Sequence, residues 1–227
     1  MKEGEGERKI IGICGFKRHG KSTSATFFES KGYVKRSMVK PMRDMLAAGF
    51  DLDRELLEGE SPEAEKWKEE PLEFWSSHLC KSETYNKSFP YMRGVVTPRT
   101  LMQFYGKDIH RDMILDEFWV VLMKKFLDEN PEVNVVIPDV RGIKEVEMLQ
   151  KYNTTFLWIQ SPPLPEYANH EFHLIPVLFP EVHETEWAWL KYKELYTPIL
   201  NERKGLDHSE EKEKSLNELY EKLAKFI

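Results

Sequence analysis

The stretch Ile10-Ile11-Gly12-Ile13-Cys14 runs directly into Gly15-Phe16-Lys17-Arg18-His19-Gly20-Lys21-Ser22. The first five residues are apolar and β-branched, the composition of a strand buried on both faces of a parallel sheet. The next eight fit G-x-x-x-x-G-K-[ST] at every fixed position. Glycines in such a loop let the backbone turn tightly and aim its amides inward, and a following helix presents its N-terminus to phosphate. In this pattern Lys21 reaches the β- and γ-phosphates and the Ser22 hydroxyl ligates Mg²⁺. The pattern alone recurs by chance, but here it follows a strand and precedes a helical stretch, Thr23 to Lys31. Lys17 and Arg18 add positive charge beside the phosphates. His19 is read as a solvent-facing loop residue rather than a catalyst.

Outward from this stretch, the pattern alternates. Tyr33–Arg36 predicts a weak second strand. Pro41–Phe50 predicts a helix with proline in its first turn. Residues 51–93 are the least legible. Charge is dense from Glu58 to Glu70, Trp67, Leu72, Phe74 and Trp75 suggest an amphipathic helical face, and Ser82–Pro90 is polar. We read 51–93 as an insertion, a mobile substrate-binding or lid subdomain, within one domain spanning 1–227. Thr97-Pro98 opens a clearer helix with Leu101, Met102, Tyr105 and Ile109 on one face. Further helices are predicted at Glu117–Leu127, Ile143–Tyr152, Trp187–Leu200 and Ser215–Phe226, and strands at Val133–Pro138 and Thr154–Gln160. Strand, loop and helix in alternation predict an α/β fold, a central parallel sheet flanked by helices.

Composition sets limits. A chain of 227 residues with 41% hydrophobic and 12% aromatic residues can build a core. Its formal charge of −6 argues against nucleic acid as the main ligand, which would need a basic face. A small anion remains compatible, since a few clustered cations make a local positive cleft. The two cysteines, Cys14 and Cys80, read as free thiols of a reducing compartment. No apolar run reaches membrane-spanning length, and Met1–Lys9 reads as a solvated leader. The clusters at His183-Glu184-Thr185-Glu186 and His208-Ser209-Glu210 have neither metal-ligand nor triad spacing.

Other candidate site residues lie beyond the loop. Asp139 ends an apolar strand, where a carboxylate can hold Mg²⁺ through water or accept a substrate hydrogen bond. The competing account makes it the N-cap of the next helix. Arg141 could stabilise charge on a transferring group, although it and Glu145 also suit surface ion pairs. Arg43, Arg93, Arg99, Lys107 and Arg111 are dispersed cations; several in one cleft would grip a phosphate monoester. Arg99 and Gln103 share a helix face at i, i+4. Trp119 reads as core, with base stacking as the sharper alternative.

Several segments taken together resemble the phage-type deoxynucleoside monophosphate kinases. They are Gly15–Thr23, Lys40-Pro41-Met42-Arg43-Asp44, Thr97-Pro98-Arg99 through Gln103 to Gly106, Phe118-Trp119-Val120, and Ile137-Pro138-Asp139-Val140-Arg141 through Glu145. The final Ser215–Leu219 also looks like that family's last helix. The resemblance covers most of the chain and is weakest over 51–93 and 162–214. It implies a nucleoside monophosphate kinase fold, ATP and Mg²⁺, and deoxynucleoside monophosphates as acceptors. It further implies that Gly15, Arg18, Gly20, Lys21, Ser22 and Thr23 hold ATP and magnesium, with Arg141 facing ATP. Lys17 would lie between donor and acceptor phosphates. Met42, Arg43, Arg99, Gly106 and Trp119 would line the acceptor side, with Asp139 and Glu145 facing it. Lys21, Lys17, Arg141 and Asp139 would be the catalytic set. The chain departs from the family at Ser22, where relatives carry Asp. It departs again in the C-terminal third, where His183 and His208 are rival matches to one histidine motif. Expected partners are small nucleotides, with a homodimer allowed and no membrane. The expected location is the cytoplasm, a host's if the chain is viral.

A monophosphate oxygen is already an anion, so the chemistry asks for alignment and charge neutralisation more than for a base. Two other readings stand beside this one. A kinase of another small metabolite would want a carboxylate near the γ-phosphate, where Asp139 could serve. A nucleotide-dependent switch or assembly ATPase would act through a partner.

Overall fold

The computed structural model describes residues 8–79, 81–83, 95–182, 184–202 and 209–227. Cys80, Arg93, His183 and His208 lie outside these residues. Within them the chain divides into two compact units, one of residues up to Met38 and from Val120 onward, the other Val39–Trp119.

The first unit is built on five strands, β1 (Ile10–Cys14), β2 (Val34–Lys35), β3 (Val135–Ile137), β4 (Thr155–Gln160) and β5 (Thr197–Leu200). All pairings are parallel and the order is β2-β3-β1-β4-β5. The all-apolar β1 takes the centre because only there are both faces covered, and all five of its residues are buried. Successive side chains of a strand point to opposite faces. On one face Ile11, Ile13, Val136, Leu157, Ile159 and Ile199 pack with Ala25, Phe27 and Phe28 of helix α1 (Lys21–Glu29) and with the C-terminal helix. On the other face Gly12 leaves room for Phe156, whose ring would stand 3.0 Å from an added Cβ. Trp158 meets Trp189 there, at 5.3 Å between ring centres.

The second unit is helical. It holds α2 (Lys40–Phe50), α3 (Arg54–Glu58), α4 (Pro62–Lys68), α5 (Glu73–Leu79) and α6 (Pro98–Gln103). A π-helical segment, Phe104–Ile114, continues from α6. Caps explain several starts: Asp53 accepts from the amides of Glu55 and Leu56, Ser61 from Ala64, and Thr97 from Thr100. Helix α7 (Phe118–Glu129) straddles the division between the units. The first unit then adds α8 (Ile143–Leu149), α9 (Ile175–Leu178) and α10 (Ser209–Leu223).

The expected α/β fold, a central parallel sheet flanked by helices, is thus the observed one. One element corrects the sequence reading. Trp187–Leu200, read as a helix, is a 3₁₀ segment at Ala188–Leu195 followed by strand β5. No helix among the described residues is long and apolar enough to cross a membrane.

Candidate active site

The loop Gly15–Ser22 leaves the carboxyl end of the central strand, where open α/β sheets bind their ligands. Its geometry depends on its glycines. Gly15 has φ 145°, and a Cβ there would lie 2.5 Å from the Ile159 carbonyl oxygen. Gly20 has φ 99° and forms the N-cap of α1. Arg18 also sits at positive φ, 63°. Three left-handed residues in so short a turn bend the backbone into a concavity of the kind that cradles phosphate. Lys21 is buried, and its Nζ donates to the Phe16 carbonyl at 2.9 Å. Lys17, Arg18 and Thr23 are exposed, and Ser22 is half-buried in the first turn of α1. The fixed positions therefore fit a triphosphate with its magnesium: glycines at positive φ, a lysine folded into the loop and a hydroxyl at the helix start.

The loop is also tied from behind, which corrects the reading of His19. That residue is buried at 7% exposure, not solvent-facing. Its Nδ1 accepts from the backbone N–H of Ser161 at 3.0 Å, and its carbonyl accepts from Asn201 Nδ2 at 2.9 Å. Ser161 follows β4 and Asn201 follows β5, so two strand ends hold this one loop residue. Phe16 beside it packs on His19, Trp158, Tyr167 and Trp189. Burial pushes the Cys14 thiol well up, against its hydrogen bond with Tyr196 and the Lys21 charge, so the residue behind the loop is an inert thiol.

After β3, Asp139 is half-buried and turned toward the segment after β2. Its Oδ2 accepts from Ser37 Oγ at 2.6 Å and its Oδ1 from the Met38 amide at 2.9 Å. The helix-cap role belongs to another residue: Glu145 Oε2 accepts from the amides of Arg141 and Gly142 at 2.7 and 3.0 Å. Burial pushes the Glu145 carboxyl up, those two amides oppose it, and the Asp139 charge adds to the rise. Arg141 pairs loosely with Glu186, at 3.5 Å.

The remaining predicted residues lie in the second unit. Met42 packs on Gly106, its Sδ 3.0 Å from where a Cβ would stand. The Gly106 carbonyl accepts from Trp119 Nε1 at 2.8 Å, and Trp119 is buried against His110, 4.8 Å between ring centres. Met42, Gly106 and Trp119 thus form one cluster. Arg43 and Arg99 are each held by carboxylates. Arg43 Nη1 meets Glu58 at 3.1 Å, and Glu58 belongs to a chain of alternating charge, Lys40–Asp44–Arg54–Glu58–Arg43. Arg99 donates from Nε to Glu69 at 2.8 Å and from Nη2 to Glu65 at 2.9 Å. Against the cost of part-burial, those two carboxylates raise the guanidinium's pKa.

Sequence reasoning passed over Ser37, Ser161 and Asn201. Each is a small polar residue just past a strand, a position that any loop residue could fill, and only the fold shows what it touches.

Residues 76–173 match the model of a family described as deoxynucleotide monophosphate kinase, a family of phosphotransferases. Among solved structures, the crystal structure of TT1252 from Thermus thermophilus is similar at 15% identity and a TM-score of 0.42, covering 98% of this chain and 100% of that one. No curated protein matches.

Proposed function

We propose, from the match of residues 76–173 to the deoxynucleotide monophosphate kinase family, that this chain is a phosphotransferase that moves the γ-phosphoryl group of ATP to a deoxynucleoside monophosphate, giving the diphosphate. One observation carries the reading. The family match spans 76–173, whereas the loop Gly15–Ser22 lies wholly outside it. Two independent parts of one chain therefore point to the same reaction class, the loop supplying a donor site and the matched segment an acceptor.

In this reading the backbone of Gly15–Gly20 and the Lys21 ammonium hold the donor's β- and γ-phosphates. Magnesium, held by Ser22, would neutralise charge between those oxygens. Lys17 and Arg141 add positive charge where it develops in the transition state. Arg43 and Arg99 take the acceptor phosphate, which arrives as an anion and needs no base. Met42, Gly106 and Trp119 shape the acceptor side, and Asp139 faces the acceptor. Glu145 supports the turn that carries Arg141, as its two amide bonds indicate.

The test is an assay coupled to ADP release over the deoxy- and ribonucleoside monophosphates, with and without Mg²⁺. Turnover with one or more deoxynucleoside monophosphates and none without metal is expected. ATP hydrolysis that no monophosphate accelerates would overturn the proposal.

A further inference from the structure

In the proposed reading the lysine, hydroxyl and glycines of the loop meet the triphosphate, and Lys21 also ties the Phe16 carbonyl, but none of them holds the His19–Gly20 peptide. We infer that Asn201 and His19 form a clamp that positions the loop's amides, an inference that rests on reading Gly15–Ser22 as the donor site. The two are positioning residues, not catalytic ones.

In a trans peptide the C=O of one residue and the N–H of the next point in opposite directions. Asn201 Nδ2 holds the His19 carbonyl toward the end of β5. The Gly20 N–H on the same plane is therefore aimed the other way. This matters at Gly20, because its φ of 99° lies where glycine moves readily between alternative conformations. Without a partner for the His19 carbonyl, nothing in the glycine's own preferences would select this peptide orientation.

The second arm fixes the same residue from its side chain. Ser161 donates its backbone N–H to His19 Nδ1 at 3.0 Å, in a buried contact. With Nδ1 an acceptor, the neutral ring carries its proton on Nε2. Asn201 is itself locked: its N–H donates to the Gln160 carbonyl at 2.7 Å, extending the β4–β5 pairing by one residue. The clamp thus ties the loop to strand ends that follow it by more than 140 residues. His19, Ser161 and Asn201 are each less than one-tenth exposed, so water competes poorly for these bonds.

The test uses the full chain and three variants. Asn201→Leu removes the donor at similar volume, His19→Phe removes the acceptor and keeps a ring, and His19→Asn restores an acceptor near the Nδ1 position. Two readouts are needed. Amide hydrogen exchange of residues 15–22 without nucleotide reports the clamp itself, and calorimetric ATP binding reports its purpose. We expect Asn201→Leu and His19→Phe to raise loop exchange at least tenfold and to weaken ATP binding at least tenfold. The KM for the monophosphate should not move, and His19→Asn should recover most of the loss. Unchanged loop exchange in both disruptive variants overturns the clamp. So does ATP affinity equal to the parent's in folded Asn201→Leu. A parent protein that binds no ATP removes the donor-site reading instead, and the proposal with it.

Discussion

Replacing Asp139 separates a structural tie from a part in the chemistry, because two substitutions remove different things. The carboxylate accepts from a buried backbone amide, Met38, and from a buried hydroxyl, Ser37. Hydrogen bonds to a charged group contribute about 1.5–3 kcal/mol each. Asp139 is half-buried, so water would replace part of what Asp139→Ala removes. We therefore expect a loss of about 2–4 kcal/mol, somewhat below the two-bond sum of about 3–6 kcal/mol. At roughly 2–4 °C per kcal/mol for a chain of this size, Tm should fall by about 4–16 °C. Asp139→Asn keeps Oδ1 for the Met38 amide and offers its NH₂ to the Ser37 oxygen, whose hydroxyl can rotate. It loses only charge assistance, about 1 kcal/mol. If the carboxylate also faces the reacting phosphates or the acceptor sugar, Asp139→Asn should lower kcat at least tenfold despite its near-parent stability. Thermal and urea unfolding give the first comparison, and the coupled ADP assay gives the second. A Tm of Asp139→Ala within about 2 °C of the parent would refute the tie. A stable Asp139→Asn with parent-like kcat would leave the tie and remove Asp139 from the chemistry.

Lys21→Ala should abolish phosphoryl transfer while far-ultraviolet circular dichroism shows an intact fold; near-normal turnover would end the assignment of the donor loop. Gly15→Ala places a Cβ 2.5 Å from the Ile159 carbonyl at a φ of 145°, and should cost more than about 2 kcal/mol in urea unfolding. Arg99→Ala should raise the acceptor KM by about ten- to a hundredfold, the equivalent of one charge-assisted contact, with the ATP KM little changed; equal effects on both would place Arg99 elsewhere. Glu65 gives a pH signature. Against the cost of its burial, hydrogen bonding from Lys68 and the charge of Arg99 hold its carboxyl below the usual value. A depressed folded pKa confers stability that is present above the unfolded value of about 4.3 and lost as pH falls through the folded one. The Tm gap between parent and Glu65→Gln should therefore be full at pH 6 and close in acid, and a gap that widens in acid would reverse the assignment.

The strand, glycine loop and helix from Ile10 to Glu29 were legible because their signals are local. Five apolar residues, two glycines and a lysine announce strand, turn and helix within one short window. β5 was not legible, because Thr197-Pro198-Ile199-Leu200 is short, carries a proline and follows the apolar run Trp187–Leu195. An edge strand tolerates the proline, but nothing within the stretch announces that β4 waits to pair with it. His19 failed for a related reason. A histidine among Lys17, Arg18 and Gly20 looks exposed, and its burial comes from Ser161 and Asn201, which no local window contains. Asp139 was correctly placed after a strand, while its partners, Ser37 and Met38, lie about a hundred residues earlier. Residues 51–79 offered charge and aromatic content without clear periodicity, since their helices are short. The pairing of Arg99 with Glu65 and Glu69 depends on how those short helices pack.

The central place of β1 has a consequence for how the protein is made. Ile10 pairs with Val135, and Ile11 with Val136 and Thr155, so β1 finds its neighbours only after more than a hundred further residues have been added. Closing a loop of about 125 residues costs about 4 kcal/mol in chain entropy before any contact repays it, and parallel pairings of this range are slow to form. On a ribosome, Ile10–Cys14 would emerge as an unpaired apolar segment while residues 39–119 are still being added. Those residues make many of their contacts among themselves, and can settle first. The loop Gly15–Ser22 then takes its shape last, when β4 and β5 arrive with Ser161 and Asn201. Nascent chains halted before residue 155 should accordingly protect the helical segment from protease and leave the N-terminal strand open to chaperones.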